Sequence, residues 1–366
     1  MSVYIHDIET MVSDISGTQE EFRDFVKKFV VKPDDRLSRL IVQRLYSNSG
    51  IETRQSFLNE IYRHEEGGYN LFYDGETDTV KNPGTAERNK IYQIESRKAV
   101  STIAERIVTK NGWDKDEITH VITVSCTGFY SPGPDMDIVN HLGLKRTTSK
   151  YHLGFMGCHA VYPGFQLAQQ ICQADPKAKV LLVSFEMCTL HLKFDSSVDS
   201  ILSASLFADG CAAALISAEK PTNEHYYEIN KLQTISAAVG TRDLLWDVGD
   251  TGFDIILSPE VPKIIGKHIP ELIQDLFSEI PISPEDVDIW ALHPGGRAII
   301  DEFKKAMSVP EEKISWSREV LKNYGNMSSA TILFVMKEWL GRGKGNVAGI
   351  TFGPGLTVET GHFTLV

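Results

Sequence analysis

The chain has 366 residues, 42% of them hydrophobic, 23% charged and 9% aromatic, which is enough for a large core and for two domains or two fused halves. A formal net charge of −12 argues against a nucleic-acid partner, because phosphate backbones are bound through clustered Lys and Arg. No apolar run approaches the length that spans a bilayer, and the start, Met-Ser-Val-Tyr-Ile-His-Asp, lacks the basic and then apolar character of a secretory signal, so a cytoplasmic location is the expectation.

Up to Lys110 the pattern is mainly helical. Apolar residues recur at helical spacing over 20–31 and 36–46, and 86–107 is a longer amphipathic stretch. Between them, 65–84 is polar and rich in Gly and Asp, and reads as a surface loop. Strand and helix then alternate: 120–125 (HVITVS), 179–185 (KVLLVSF) and 211–217 read as buried strands, with a helix over 158–174. This rhythm predicts an α/β fold whose mixed or parallel sheet is covered on both faces. The 5 cysteines are odd in number and scattered without CxxC spacing, as expected of reduced thiols rather than a disulfide framework or a zinc site.

The second half repeats the first. Strand 121–125 leads to Gly-Phe-Met-Gly-Cys158 and a helix, then to strand 179–185; strand 287–292 leads to Asn-Tyr-Gly-Asn326 and a helix, then to strand 346–352. Cys126 to Cys158 spans 32 positions and His293 to Asn326 spans 33; Cys158 to Ser184 spans 26 and Asn326 to Thr351 spans 25. Matching spacings that carry like elements point to duplicated halves packed back to back. Helix starts from both halves would then face one central site.

Three residues at such turns carry chemistry. A thiol at the start of a helix, as Cys158 is expected to be, feels the positive end of the helix dipole and unsatisfied N–H groups, which favour thiolate and can stabilise an oxyanion. A lone cysteine of this kind is also a common core residue. His293 ends an apolar strand and precedes Pro294-Gly295-Gly296, at a rim where sites form. A lone histidine there more often serves a turn carbonyl. Asn326 can simply cap the helix over 327–340, or cap it while aiming an amide N–H into the site. Together the three supply a nucleophile, an imidazole and an amide donor to one carbonyl, the equipment for acyl transfer through a thioester. Gly353-Pro354-Gly355 makes a rigid turn whose backbone can approach a substrate closely. No GxGxxG or Gly-Lys-Ser/Thr phosphate loop is present, and Glu186 and Asp209, at strand edges, read as structural.

These stretches resemble the type III polyketide synthases, the chalcone synthase-like branch of the thiolase fold. The resemblance runs over most of the chain and is densest in Ser125-Cys-Thr-Gly-Phe-Tyr-Ser131-Pro-Gly-Pro-Asp135, Gly157-Cys158, Leu206-Phe-Ala-Asp-Gly210, His293-Pro-Gly-Gly296, Asn323-Tyr-Gly-Asn-Met-Ser328-Ser329 and Gly353-Pro-Gly-Leu-Thr-Val-Glu-Thr360. The CTGFYSPG form and Glu186-Met-Cys-Thr-Leu-His191 look like the bacterial members. The resemblance implies a thiolase-like duplicated αβαβα five-layer fold, with an N-terminal half, 1–220, carrying the cysteine and a C-terminal half, 221–366, carrying His and Asn.

It also implies a homodimer, coenzyme A thioesters as substrates (an acyl-CoA starter and malonyl-CoA) and no metal or redox cofactor. Cys158 would accept the starter and the growing chain, while His293 would keep it as thiolate and, with Asn326, bind the malonyl thioester carbonyl. Phe207 matches an aromatic gatekeeper. Thr127, Ser131, Cys188, His191, Trp246, Ile255, Ser328, Gly353, Pro354 and Gly355 would line the substrate chamber.

Four departures from the family pattern bear on substrate. Ile255 stands for a second gatekeeper phenylalanine, Trp246 for a chamber glycine and His191 for a chamber threonine. Of the basic residues that contact CoA phosphates, Arg44 is matched, while Ile41 and Asn48 stand at its neighbours. Trp246 would narrow the usual chamber, and Thr127 or Cys188 would border a tunnel for an acyl tail. The expectation leans towards a fatty-acyl starter and an alkyl-pyrone or alkyl-resorcinol product. The rivals are an initiating β-ketoacyl carrier-protein synthase and a non-catalytic thiolase-fold partner subunit.

Overall fold

The computed structural model describes residues 1–32, 34–58, 60, 69–237, 239 and 242–366. β1 (Tyr4–Met11) is followed by two amphipathic helices, α1 (Gln19–Phe29) and α2 (Arg36–Asn48), flanked by the short antiparallel pair β2 (Ser16–Thr18) and β3 (Thr53–Gln55). α1 begins where it does because Thr18 and Glu21 cap each other: the Thr18 hydroxyl accepts from Glu21 N at 3.1 Å and the Glu21 carboxylate accepts from Thr18 N at 2.7 Å. β4 (Tyr73–Asp74) and β5 (Thr79–Val80) form a small hairpin ahead of α3 (Thr85–Asn111).

Of the expected surface loop, 65–68 lie outside the described residues, and the remainder is not all surface. Leu71 and Phe72 are buried because the Glu60 carboxylate, itself buried, accepts from the successive N–H groups of Leu71, Phe72 and Tyr73 at 2.9, 3.1 and 3.2 Å. Three main-chain donors satisfied at one carboxylate let this segment enter the core.

The alternating part then runs β6 (His120–Ser125), α4 (Pro134–Leu142), β7 (Ser149–Gly154), α5 (Val161–Ala174), β8 (Lys179–Met187), α6 (Val198–Leu206) and β9 (Asp209–Ser217). The remainder is β10 (Tyr227–Ser236), the hairpin β11 (Leu244–Gly249) and β12 (Gly252–Leu257), α7 (Val261–Ser278), β13 (Ile289–Leu292), α8 (Arg297–Met307), α9 (Ser315–Tyr324), α10 (Thr331–Trp339), β14 (Gly345–Gly353) and β15 (Thr357–Leu365).

The main strands form one ladder in the order β13-β14-β15-β10-β1-β9-β8-β6-β7. Each half repeats the same pairing: β6 runs parallel to β8, β8 antiparallel to β9 and β9 antiparallel to β1, just as β13 runs parallel to β14, β14 antiparallel to β15 and β15 antiparallel to β10. The duplication read from spacing is therefore a duplication of topology. β1 joins the halves by pairing with both β9 and β10.

Three apolar cores define the layers. One holds Val161, Tyr162 and Phe165 of α5 and Ile332, Leu333 and Val335 of α10, packed between the two half-sheets. The second lies under α3 on the outer face of the first half, and the third under α7 and α8 on the outer face of the second. The result is the αβαβα sandwich, with α5 and α10 as the shared middle layer. Both helices therefore start at the interior junction.

That middle layer is tightly closed. A Cβ added at Gly349 of β14 would sit 1.9 Å from the hydroxyl of Tyr162, a fully buried ring on α5. Gly349→Ala should therefore lower stability by about 1–3 kcal/mol through overpacking. A urea midpoint that falls with unchanged slope is the expected result, and an unchanged midpoint would contradict this packing.

Candidate active site

Cys158 sits in a turn just ahead of α5, not in its first turn as the sequence pattern suggested. Ala160 N donates to Gly157 O at 3.1 Å and Tyr162 N to His159 O at 3.0 Å, so tight turns lead into a helix that begins at Val161. Gly157 has φ +90°, and a Cβ there would lie 2.4 Å from Pro354 Cδ. The turn of Gly353-Pro354-Gly355 thus presses the second half against the nucleophile's own turn, which only glycine at 157 permits.

Asn326 arrives from the other half. Its N–H donates to Leu206 O at 2.9 Å and its carbonyl accepts from Ala208 N at 2.8 Å, a parallel bridge around Phe207. Its side-chain oxygen accepts from Ser328 N at 2.9 Å, ahead of a 3₁₀ turn (Ser328–Ala330) that leads into α10. With that oxygen engaged, the amide nitrogen must face the site, where Nδ2 donates to Gly295 O at 3.2 Å and lies beside the Cys158 thiol.

His293 follows β13, anchored by its N–H donating to Ile350 O at 2.8 Å. The ring is 1% exposed, and neither Nδ1 nor Nε2 has a hydrogen-bond partner among the described residues. It adjoins His159, the residue after Cys158, and Gly295, whose carbonyl receives the Asn326 amide. Buried polar atoms are normally paired, so two open ring nitrogens here suit a bound carbonyl and a thiol proton.

Burial pushes the Cys158 thiol up to about 11, opposed by contacts from Ser328 and Asn326. Burial, with His159 nearby, pushes the His293 imidazole down to about 3. Both shifts favour a neutral thiol and a neutral imidazole at rest, not the standing thiolate expected from a helix start. Desolvation outweighs a dipole whose first turn begins past the cysteine.

Beneath the thiol, Glu186 is fully buried and burial raises its pKa. It accepts from Cys126 N at 3.0 Å, Thr127 Oγ1 at 2.8 Å and the Ser329 hydroxyl, while Ser328 Oγ lies 3.1 Å from Cys126 Sγ. Asp209 likewise accepts from Phe57 N and Thr189 N, each at 2.9 Å, and from Thr189 Oγ1 at 2.6 Å. Both carboxylates are occupied by internal donors.

Cys158, Thr127, Cys188, Phe207, Ser328 and Pro354 line one chamber, closed on its far side by Trp246 and Ile255. Trp246 and Ile255 are cross-strand partners in the β11–β12 hairpin, and Trp246 Nε1 donates to Cys126 O at 2.8 Å. His191 is locked behind them: Nε2–H donates to Thr127 O at 2.7 Å, Nδ1 accepts from Phe253 N at 2.9 Å, and its ring stacks on Phe253 at 4.1 Å. The chamber holds only ≈ 40 Å³ of open cavity, and the adjoining one towards Phe22 and His191 ≈ 30 Å³. A larger open pocket of ≈ 590 Å³, the mouth in the reading below, is lined by Arg44, Asn48 and Leu206, the residue before Phe207.

Three expected chamber residues fall elsewhere. Ser131 is exposed, in a cis peptide with Pro132, and lines neither cavity. A Cβ at Gly353 would run into the His159 ring and one at Gly355 would face open space, and of that turn Pro354 lines the chamber.

Family models for the N-terminal and C-terminal domains of chalcone and stilbene synthases match residues 10–220 and 239–365. The chain belongs to the chalcone and stilbene synthase family. It is a type III polyketide synthase, an acyltransferase-type enzyme. It is 28% identical to a putative chalcone synthase of Bacillus subtilis, with 97% of each chain covered. It is 32% identical to 1,3,6,8-tetrahydroxynaphthalene synthase of Streptomyces coelicolor, over 77% of this chain and 76% of that one. Among solved structures, PKS-I of the brown alga Ectocarpus siliculosus superposes with a TM-score of 0.91 at 27% identity, covering 100% of this chain and 99% of that one.

In this synthase Cys126, Gly157, Leu244 and Leu245 also line the chamber, and none was singled out as lining from sequence. Cys126 was within reach: it holds the place after β6 that His293 holds after β13. The raised thiol sets a sign for pH dependence. A protonated Cys158 gains thiolate as pH rises towards about 11, so its alkylation by iodoacetamide should keep accelerating above pH 9, by about tenfold per pH unit. Peptide mass spectrometry of Cys158 across pH reads this, and a rate that levels off below pH 8 would show that His293 already holds the proton at rest.

Proposed function

We propose that Cys158 is the acyl acceptor of a decarboxylative condensation, with His293 and Asn326 as the polar partners of the reacting carbonyls. The observation that supports this most is the buried His293 ring with both nitrogens open, beside an amide nitrogen turned towards the same thiol. An acyl-CoA starter enters through the mouth, where Arg44 meets its phosphates. As Cys158 Sγ attacks the thioester carbonyl, His293 takes the thiol proton and passes it to the departing CoA sulfur.

Malonyl-CoA then binds with its thioester oxygen between His293 Nε2–H and Asn326 Nδ2–H. Carbon dioxide leaves, the enolate is held by those two donors, and its carbon attacks the Cys158 thioester. A C–C bond forms and the C–S bond breaks, giving a β-ketoacyl-CoA that can return to Cys158 for another round. The N-terminal half, 1–220, supplies the nucleophile and the C-terminal half, 221–366, the donors. No cofactor is needed in this scheme, since the CoA thioester and the departing carboxylate supply the driving force.

The narrow chamber supports a short acyl starter over a fatty-acyl one: Trp246 and Ile255 close it to an open cavity of ≈ 40 Å³, with an adjoining one of ≈ 30 Å³ towards His191. A short starter with few extensions would close to a small pyrone, resorcinol or phloroglucinol-type ring.

Purified protein given malonyl-CoA and a series of acyl-CoAs should yield products extended by two-carbon units, best with short starters, by mass spectrometry. Cys158→Ala should abolish them; His293→Ala or Asn326→Ala should each slow carbon dioxide release by about 10²–10³. Trp246→Gly should admit longer chains. Product from Cys158→Ala, or unchanged carbon dioxide release in both donor variants, would refute the scheme.

A homodimer is part of the same reading. β7 is an edge of the sheet, and Phe129, Tyr151 and Phe155 beside it are 50%, 41% and 39% exposed. An unpaired strand edge with aromatic residues around it suits a second copy. Light scattering should give twice the mass of one chain, and a monomer at micromolar concentration would contradict it.

A further inference from the structure

Every carbonyl at the end of α6 has a donor. Ser203 O accepts from Phe207 N at 3.1 Å, Ser205 O from Gln19 Nε2 at 2.8 Å and Leu206 O from Asn326 N at 2.9 Å. The other two, Ala204 O and Phe207 O, both accept from Arg54 Nη1, at 2.7 and 2.8 Å. One guanidinium therefore holds the main chain on both sides of the Leu206 carbonyl that receives Asn326. A cation at this end of a helix also meets the negative end of its dipole.

Arg54 is 1% exposed, and among the described residues Nε and Nη2 have no hydrogen-bond partner. Its guanidinium lies over the Phe22 ring, 4.1 Å from the centroid, with the Tyr46 ring at 5.9 Å. Burying a cation is costly, and here two carbonyls and an aromatic face offset that cost. Asn326 meets the same side chain from the other half. Gly325, just before it, has φ +74°, and a Cβ there would lie 3.0 Å from Arg54 Cδ and 3.1 Å from Leu206 O. The Arg54 stem thus fills the space against which the Asn326 turn is set. The chain around Arg54 is tied to the same place: Glu52 N donates to Lys322 O at 2.7 Å, and Thr53 Oγ1 to Asn323 O at 2.6 Å, at the end of α9.

We propose that Arg54 is a positioning residue for the condensation: it sets the Asn326 amide by holding the end of α6 on one side and Gly325 on the other. Arg54 lines neither cavity, so it acts through Asn326 and not on substrate. This rests on the reading of Asn326 as a donor to the malonyl thioester. Cys158 stands on a separate turn, braced by Pro354, and lies outside this joint. Loss of Arg54 should therefore act on decarboxylation and spare acylation.

The test reads the two half-reactions separately in the full chain. Acylation is the adduct that butyryl-CoA forms on Cys158, followed by intact mass. Decarboxylation is carbon dioxide released from malonyl-CoA, counted per acylatable Cys158. Arg54→Lys keeps the charge on a shorter stem, without the flat face that rests on Phe22. It should slow carbon dioxide release by about ten- to a hundredfold and leave the acylation rate within about twofold. Added to Asn326→Ala, it should slow release by no more than about twofold further, because both changes act on one amide. An equal loss in both half-reactions, or a full multiplicative loss in the double variant, would reduce Arg54 to a support of the fold and overturn the proposal. Slow release in Asn326→Ala with normal release in folded Arg54→Lys would overturn the positioning role alone. Unchanged release in Asn326→Ala would overturn the donor reading and the proposal with it. If Arg54→Lys does not fold, Thr53→Val removes the bond to Asn323 O at the outer end of the same joint. It should show the same split at about two- to fivefold, and no split there would overturn the proposal.

Discussion

Two main-chain hydrogen bonds, from Asn326 N to Leu206 O and from Ala208 N to Asn326 O, join the halves at the point where the chemistry is assembled. Each contributes only about 0.5–1.5 kcal/mol in net stability, so their importance is geometric. They fix Asn326 against Phe207, and the Ser328–Ala330 turn that follows sets Ser328 beside Cys126 and Ser329 on Glu186. The Glu186 carboxylate in turn holds the end of β6 through Cys126 N and Thr127 Oγ1. Displacement of this bridge would move the Asn326 amide, the floor of the chamber and the Phe207 ring that lines it together. Duplicated topology matters for the same reason: it brings the starts of α5 and α10 to one junction, so that each half delivers part of a site neither could form.

The electrostatics follow from where that junction lies. A thiol and an imidazole enclosed by protein are both driven towards their neutral forms, so in the proposed scheme charge would appear only when a proton moves between them as substrate arrives. Such a site keeps an unreactive thiol until a carbonyl is in place. The open nitrogens of His293 cost stability while the site is empty, a cost that a bound thioester oxygen would offset.

Much of the fold was legible because buried strands announce themselves. The β-branched runs at 120–125 and 179–185 left no other reading, and near-equal spacings exposed the duplication. β7 was missed because its edge position leaves a mixed, half-exposed pattern, and α7 because Pro270 interrupts an otherwise helical stretch. Cys158, His293 and Asn326 were readable as turn residues ahead of apolar runs. The chamber was not, since its size comes from a tertiary unit. Trp246 and Ile255 face each other across a hairpin, and His191 stacks on Phe253 with both nitrogens engaged. The three chamber departures, Trp246, Ile255 and His191, are one packed wall, and no single side chain in it discloses the ≈ 40 Å³ that remains.

The most direct measurement is the intact mass of the protein after brief exposure to a short acyl-CoA alone, followed by peptide mapping. The account predicts one acyl adduct per chain, located on Cys158 and absent from Cys158→Ala. No adduct, or an adduct on Cys126 or Cys188 with Cys158 unmodified, would contradict it.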